Sequence, residues 1–190
     1  MAPEDDALTL ALELARALRD AGISYAIGGA LAFGVWAVPR ATLDVDINVF
    51  VEGPGLNTLA ACLDGLGIEA RLEQMLEQSE STGLIIVRWR ETRIDLFTPS
   101  IEFSREAEKT RVELEVGGEA FWFLSREALA VFKLLFYRPK DLADLATLVA
   151  TQGEKLDAGY VRRWIVEMMG ADDERVSRWD RLVASHGTVI

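Results

Sequence analysis

Two short segments constrain this chain more than the rest of it. They are Ala26-Ile27-Gly28-Gly29-Ala30 and Arg40-Ala41-Thr42-Leu43-Asp44-Val45-Asp46-Ile47-Asn48. The first reads as a short apolar strand running into a glycine pair that opens a helix. The second reads as a strand with two carboxylates two residues apart. Side chains alternate along a strand, so Asp44, Asp46 and Asn48 share one face while Val45, Ile47 and Val49 take the other. Two aspartates about 6–7 Å apart along a strand repel each other unless something cationic sits between them. The glycine pair brings backbone N–H groups to a helix N-terminus, which suits a phosphate. Carboxylates fit for a divalent metal beside a phosphate cradle point to chemistry on a nucleotide.

Charge and composition narrow the partners. With 190 residues, half of them apolar, the chain supports one good core and is marginal for two. No apolar run reaches the roughly 18–20 residues that span a bilayer, and the start, Met1-Ala2-Pro3-Glu4-Asp5-Asp6, is too acidic for a secretory signal. The single cysteine, Cys62, excludes an internal disulfide, so a reducing, cytoplasmic setting is expected. A net charge of −11 argues against a protein that holds nucleic acid chiefly by neutralising phosphates. Any such surface must be local, with Arg88–Arg93, Arg138–Lys140 and Arg162-Arg163 as candidates, whereas excess acid favours divalent cations. The one histidine, His186, near the C-terminus, leaves little room for histidine-based catalysis or metal binding.

The pattern predicts a helix over Ala7–Asp20, a strand over Ile23–Ile27, a helix over Gly29–Ala37 and a strand over Leu43–Val51. A helix over Leu56–Leu66 with Gly67 as its C-cap follows, then an edge strand at Ile68–Leu72 and a polar loop over Glu73–Thr82. Leu84–Arg90 and Arg93–Phe97 read as a hairpin that turns Arg93, Asp95 and Phe97 one way and Ile94 and Leu96 the other. Val112–Val116 and Ala120–Leu124 around Gly117-Gly118 form a second hairpin. From Ser125, a helix N-cap, the pattern is helical: to Phe136 or Tyr137, then from Lys140 or Asp141 after the break at Pro139 to Ala150, then Asp157–Met169 and Asp172–Ser185. Trp36, Trp122 and Trp164 fall in apolar patterns that suit a core. The expected organisation is one α+β domain over 1–190: an α/β core in 1–100, a β-hairpin in 101–124 and a helical region in 125–190.

Gly28-Gly29, Arg40-x-Thr42, Asp44-Val45-Asp46 and Asp95, in that order, resemble the DNA polymerase beta-like nucleotidyltransferase superfamily. The Gly-Gly-Ala…Arg-x-Thr-x-Asp-Val-Asp pattern is most similar to its small minimal members. Phe132-Lys133-Leu134-Leu135-Phe136-Tyr137-Arg138-Pro139-Lys140-Asp141-Leu142-Ala143-Asp144-Leu145 resembles the helical motif of the AbiEii-type toxin branch. The resemblance covers about Tyr25–Val51, Ile94–Phe97 and Leu129–Leu148. It implies a mixed β-sheet flanked by helices, with a helical C-terminal region.

It also implies an activity: transfer of a nucleoside monophosphate from an NTP to a hydroxyl on an RNA or tRNA end, a protein or a small molecule, with two magnesium ions. Such ions, about 3.5–4 Å apart, stabilise the attacking and leaving oxygens, and magnesium suits carboxylate ligands. By this resemblance Asp44, Asp46 and Asp95 hold the metals, and Asp95 is placed to draw off the hydroxyl proton. Gly28, Gly29, Arg40, Thr42, Lys133 and Asp144 serve the nucleotide, with Lys133 a point charge for the triphosphate. A toxin–antitoxin or phage-defence role, with an antitoxin or a second copy as partner, belongs to the same implication. Ala30 stands where many members carry serine. The residues taken singly also admit plainer roles: an exposed strand aspartate for Asp95, a snorkelling stem for Lys133, helix-end ion pairs for Arg138 and Asp144. The alternative function is a non-catalytic nucleotide-binding regulator on a degenerate nucleotidyltransferase fold.

Overall fold

The computed structural model describes residues 7–186. The acidic start of the chain and the side chain of His186 lie outside that description. The chain divides into two compact units, one of residues up to Leu31 together with Arg40–Leu124, the other of Ala32–Pro39 with the residues from Ser125 on.

The first unit is built on a six-stranded mixed sheet. Its strands are β1 (Tyr25–Ile27), β2 (Asp44–Val49), β3 (Leu84–Trp89), β4 (Thr92–Phe97), β5 (Val112–Val116) and β6 (Glu119–Phe123). They lie in the order β3-β4-β2-β1-β6-β5. The β2–β4 and β1–β6 pairs are parallel and the rest antiparallel. Period-two alternation decides which face is covered. Val45, Ile47 and Val49 of β2, Ile94 and Leu96 of β4, and Ile85 and Val87 of β3 are buried. Helix α1 (Ala7–Asp20) packs on β1 and β2 with Leu10, Leu14 and Leu18 buried, and residues 72–82 pack on β3. Helix α3 (Gly55–Gly65) packs against α1. The opposite face carries Asp44, Asp46, Arg93, Asp95, Ile86 and Arg88, none of them buried.

Two expectations fail in this unit. Residues 72–82 form a helix, α4 (Leu72–Thr82), in place of an edge strand followed by a polar loop. Glu73, Gln74, Glu77 and Glu80 are exposed, while Met75 is buried. The Gln78 side chain accepts from the Ile86 N–H of edge strand β3 at 3.0 Å, and Ser79 pairs with Thr98 at 2.9 Å. Gly83, left-handed at φ 68°, ends the helix. A short helix α5 (Phe103–Thr110), anchored by buried Phe103 and Ala107, also precedes the second hairpin, where a hairpin alone was expected over 101–124.

The second unit contains the C-terminal part of α2 (Gly29–Trp36), then α6 (Arg126–Phe136), α7 (Pro139–Gln152), a 3-10 turn at Gly153–Lys155, α8 (Ala158–Met169) and α9 (Glu174–His186). Ser125 caps α6 by accepting from the Ala128 N–H at 3.1 Å. Tyr137, at φ 53°, terminates that helix. Helix α7 begins at Pro139 itself, since a proline at the first helical position sacrifices no hydrogen bond. The core is Leu129, Val131, Leu134, Leu145, Leu148, Val161, Ile165, Val176 and Trp179. Tryptophans 36, 122 and 164 are only half-buried. Their rings meet polar or aromatic edges: the Arg126 guanidinium lies over Trp36, the Arg111 guanidinium over Trp122, and Tyr160 sits against Trp164. Trp179 is the buried one, and its indole N–H donates to the Ala158 carbonyl at 3.1 Å. No helix among the described residues is long and apolar enough to cross a membrane.

Candidate active site

Parallel pairing of β2 with β4 sets the acidic residues side by side. Asp46 is the register partner of Asp95, and Asp44 that of Arg93. On the β3 side, Ile86 stands beside Asp95 and Arg88 beside Arg93. Residues in register on neighbouring strands have Cβ atoms about 5 Å apart and point to the same face. Asp44, Asp46, Arg93 and Asp95 therefore form a two-by-two block on the face left uncovered by α1. Asp44 is exposed and Asp46 half-buried. Asn48, one step deeper, is buried.

The Arg93 guanidinium lies in this block beside the carboxylates. Arg93 forks onto Asp95, Nε donating to Oδ1 at 2.6 Å and Nη2 to Oδ2 at 3.0 Å. The hydrogen bond to Asp95, followed by the charges of Asp95, Asp44 and Asp46, holds the Arg93 guanidinium above its ordinary value against the lowering effect of burial. Among the described residues, no three acidic side chains stand together closely enough to form a ready-made metal site. The donor chemistry of Asp44 and Asp46 suits a divalent cation, and Asp44 is exposed to solvent. Asp95 lies beside Asp46 with both of its oxygens engaged by Arg93. The sequence already showed Arg93 and Asp95 two apart on one strand face. That spacing, the same one that drew attention to Asp44 and Asp46, was the signal for the pair.

The two glycines play different parts. Gly28 extends the β1–β2 pairing, its N–H donating to the Asp46 carbonyl at 2.9 Å, so that N–H belongs to the sheet. A Cβ on Gly28 would meet Asn48 Oδ1 at 3.2 Å and Leu124 Cδ1 at 3.3 Å. Gly29 begins α2 in the left-handed region, at φ 53°, and a Cβ there would overlap the Asp46 carboxylate. The chain thus brings the start of a helix against Asp46 at a point that only glycine fits. The first N–H groups of α2 have no carbonyl within their own helix to bond, which is the arrangement an anion uses. Thr42 is tied to its own strand: its hydroxyl bridges the Asp44 backbone, donating to the carbonyl at 3.1 Å and accepting from the N–H at 3.3 Å. Arg40 is exposed on the segment that enters β2, beside Leu43, which is 84% exposed.

Lys133 and Asp144 belong to the helical unit. Lys133 is buried, and its ammonium is not at the surface as a snorkelling stem would place it. Its Nζ donates to Asp144 Oδ2 at 2.6 Å, approaches Asp141 Oδ1 at 3.7 Å and lies 5.5 Å from the Phe33 ring centroid. Asp141 in turn accepts from the Arg138 backbone N–H and guanidinium, at 3.3 and 2.6 Å. Arg138 and Asp141 are therefore a helix-start ion pair, while Lys133 and Asp144 form the buried centre of the cluster.

No protein-family profile matches the chain, and no curated protein sequence does so significantly. Solved structures do. The solution structure of the antibiotic-resistance factor ANT(2'')-Ia aligns over 94% of this chain and 96% of its own, with a TM-score of 0.59 at 17% identity. The crystal structure of ANT(2")-Ia in complex with adenylyl-2"-tobramycin aligns over 83% of this chain and 98% of its own, also with a TM-score of 0.59 and 17% identity. The mixed sheet and its flanking helices are those of a nucleotidyltransferase-type fold.

Proposed function

We propose that this protein is a magnesium-dependent nucleotidyltransferase that moves a nucleoside monophosphate from an NTP to a hydroxyl acceptor. The observation that carries the reading is the register of Asp46 with Asp95 on one sheet face, at a point where Gly29 starts a helix against the Asp46 carboxylate. Asp44, Asp46 and Asp95 would hold the metal, and bound magnesium would supply charge neutralisation for the triphosphate. The N–H groups at the start of α2 receive phosphate oxygens beside Gly28 and Gly29. Arg40 serves the triphosphate from the segment entering β2, and Thr42 fixes the backbone from which Asp44 projects. For Lys133 and Asp144, paired with each other within the helical unit, the nucleotide role rests on the resemblance alone. In the reaction the acceptor oxygen bonds to the α-phosphorus as the bond to the β-phosphate oxygen breaks. Pyrophosphate leaves, and the acceptor proton passes to Asp95.

A small hydroxyl-bearing molecule is the acceptor best supported. The chain carries a net charge of −11, which attracts cationic acceptors and repels a phosphate backbone. The fold neighbour ANT(2")-Ia was captured with an adenylylated aminoglycoside. The run Phe132–Leu145 supports the second reading, an AbiEii-like toxin that modifies an RNA end and is restrained by an antitoxin.

The test is incubation with each α-labelled NTP and magnesium, against a panel of aminoglycosides and lincosamides in one arm and total RNA in the other. Label should move to a small molecule and should not move in Asp46→Asn. Label on RNA alone would select the toxin reading. Nucleotide binding without transfer to either acceptor class would make the protein a regulator and overturn the enzyme assignment.

A further inference from the structure

Asp95 has two partners competing for it. In the proposed function it is a metal ligand, yet in this structure both of its oxygens accept hydrogen bonds from one guanidinium. Such a two-pronged contact is the strongest form of a charged pair. It is also local in origin: Arg93 and Asp95 are two residues apart on one strand, so every folded copy presents them together. Arg93 occupies the corner of the block beside Asp44. The side chain of Asp95 is 14% exposed and that of Arg93 40%, so Arg93 can leave towards solvent while Asp95 stays in place.

We propose that Arg93 is a built-in counter-cation that occupies Asp95 until a divalent ion displaces it, and so sets the affinity of the carboxylate face for metal. This rests on the proposed assignment of Asp44, Asp46 and Asp95 as metal ligands. The electrostatics run one way. With Arg93 forked onto Asp95, part of the attraction of that carboxylate for an incoming ion is already spent. A divalent ion reaching Asp95 must take at least one oxygen from the fork and must also approach a positive charge within a few ångströms. At such a separation in a half-exposed site, a unit charge changes an ion's binding by about tenfold or more. Once Asp95 has been taken, Arg93 loses its forked partner and keeps only the looser attraction of Asp44 and Asp46, which leaves its N–H groups in position to receive the phosphates of an arriving nucleotide. Arg93 is thus a positioning residue, acting on the metal through Asp95.

Manganese binding to the full-length chain without nucleotide, followed through the electron paramagnetic resonance of the unbound ion, tests this separately from activity. Arg93→Met should bind manganese about tenfold more tightly than the unsubstituted protein, and Arg93→Lys, which keeps the charge but loses the fork, should fall between them. Manganese should also raise the melting temperature of Arg93→Met by more than it raises that of the unsubstituted chain. If Asp46→Asn abolishes binding while Arg93→Met and Arg93→Lys both bind as the unsubstituted protein does, or more weakly, the role given to Arg93 is wrong and the metal face survives. If Asp46→Asn binds manganese as well as the unsubstituted protein, the metal face itself is wrong and the role of Arg93 falls with it.

Discussion

The block on the sheet face and the cluster in the helical unit use the same chemistry to opposite ends. In the helical unit two cations, Lys133 and Arg138, meet two carboxylates, Asp141 and Asp144, and the central pair is buried. In the sheet block Arg93 forks onto Asp95 beside Asp44 and Asp46, on a face where Asp44 is exposed. A balanced, buried cluster has nowhere to put another ion and loses heavily if one member is removed. A block with an exposed carboxylate such as Asp44 can be approached by a cation from solvent. Charge count and burial together thus separate the cluster that holds its unit in one arrangement from the one equipped to take something up. Substitutions in the two clusters put that contrast at risk.

Asp144→Ala should cost the most. It leaves the Lys133 ammonium buried with only Asp141, which Arg138 already engages, and a buried charge stripped of its partner costs about 3–5 kcal/mol. Urea denaturation followed by circular dichroism would show the loss as a lower midpoint at constant slope. The double variant Lys133→Met/Asp144→Leu should recover most of that stability, since apolar residues of similar volume replace a buried pair at little cost. It also challenges the comparison from the functional side. A folded double variant that binds NTP as tightly as the original would make the cluster purely structural and remove Lys133 from the nucleotide site.

Gly29→Ala comes next. The left-handed backbone alone costs an alanine about 1–2 kcal/mol, and the added methyl group must push the Asp46 carboxylate aside. The substitution should therefore lower both the denaturation midpoint and manganese affinity. Gly28→Ala, with contacts of 3.2 and 3.3 Å to side-chain atoms that can yield, should be milder in both. Equal losses at the two positions would mean that the close approach of α2 to Asp46 is not what fixes the face.

The sheet block was largely legible in the sequence because strand alternation is strict. Asp44, Asp46 and Asn48 fall on one face and Val45, Ile47 and Val49 on the other, with no tertiary information needed. The expected hairpins at Leu84–Phe97 and around Gly117-Gly118 formed for the same reason. Register between β2 and β4 was not legible, because a parallel pair has no turn to fix it; hence the pairing of Asp46 with Asp95 had to come from the fold. Nor was the state of Lys133: a helical lysine in an apolar run reads as a snorkelling stem until Asp144, eleven residues on and in another helix, is brought against it. Helix α4 escaped notice because its apolar signal is one turn long: Leu72, Met75 and Leu76 have helical spacing, but everything after them to Thr82 is polar and only Met75 is buried. Polar contacts to the sheet supplement that anchor. Gln78→Ala should cost about 1 kcal/mol, the worth of one hydrogen bond, since it removes the acceptor of the Ile86 N–H on an edge strand. Amide hydrogen exchange at Ile86 should quicken with it.

Asp44→Asn should have the smallest effect on stability, and its sign is what matters. Asp44 is exposed, and its register partner Arg93 directs its fork at Asp95. Neutralising it removes repulsion towards Asp46, the next residue along the same strand face, and gives up a looser attraction to Arg93. Like charges facing one another on a sheet are worth a few tenths of a kcal/mol to about 1 kcal/mol, and exposed attractions are worth about as little. The expected outcome is a gain of up to about 0.5 kcal/mol at low ionic strength, shrinking as salt screens the face, together with a loss of manganese affinity. The matching change in the helical unit, Asp144→Asn, should lower stability by several times that amount, with little dependence on salt. An Asp44→Asn protein less stable than its parent by more than about 1 kcal/mol would place Asp44 in a structural ion pair. The sheet face would then be balanced like the helical cluster, and its claim on a metal ion would lose its electrostatic basis.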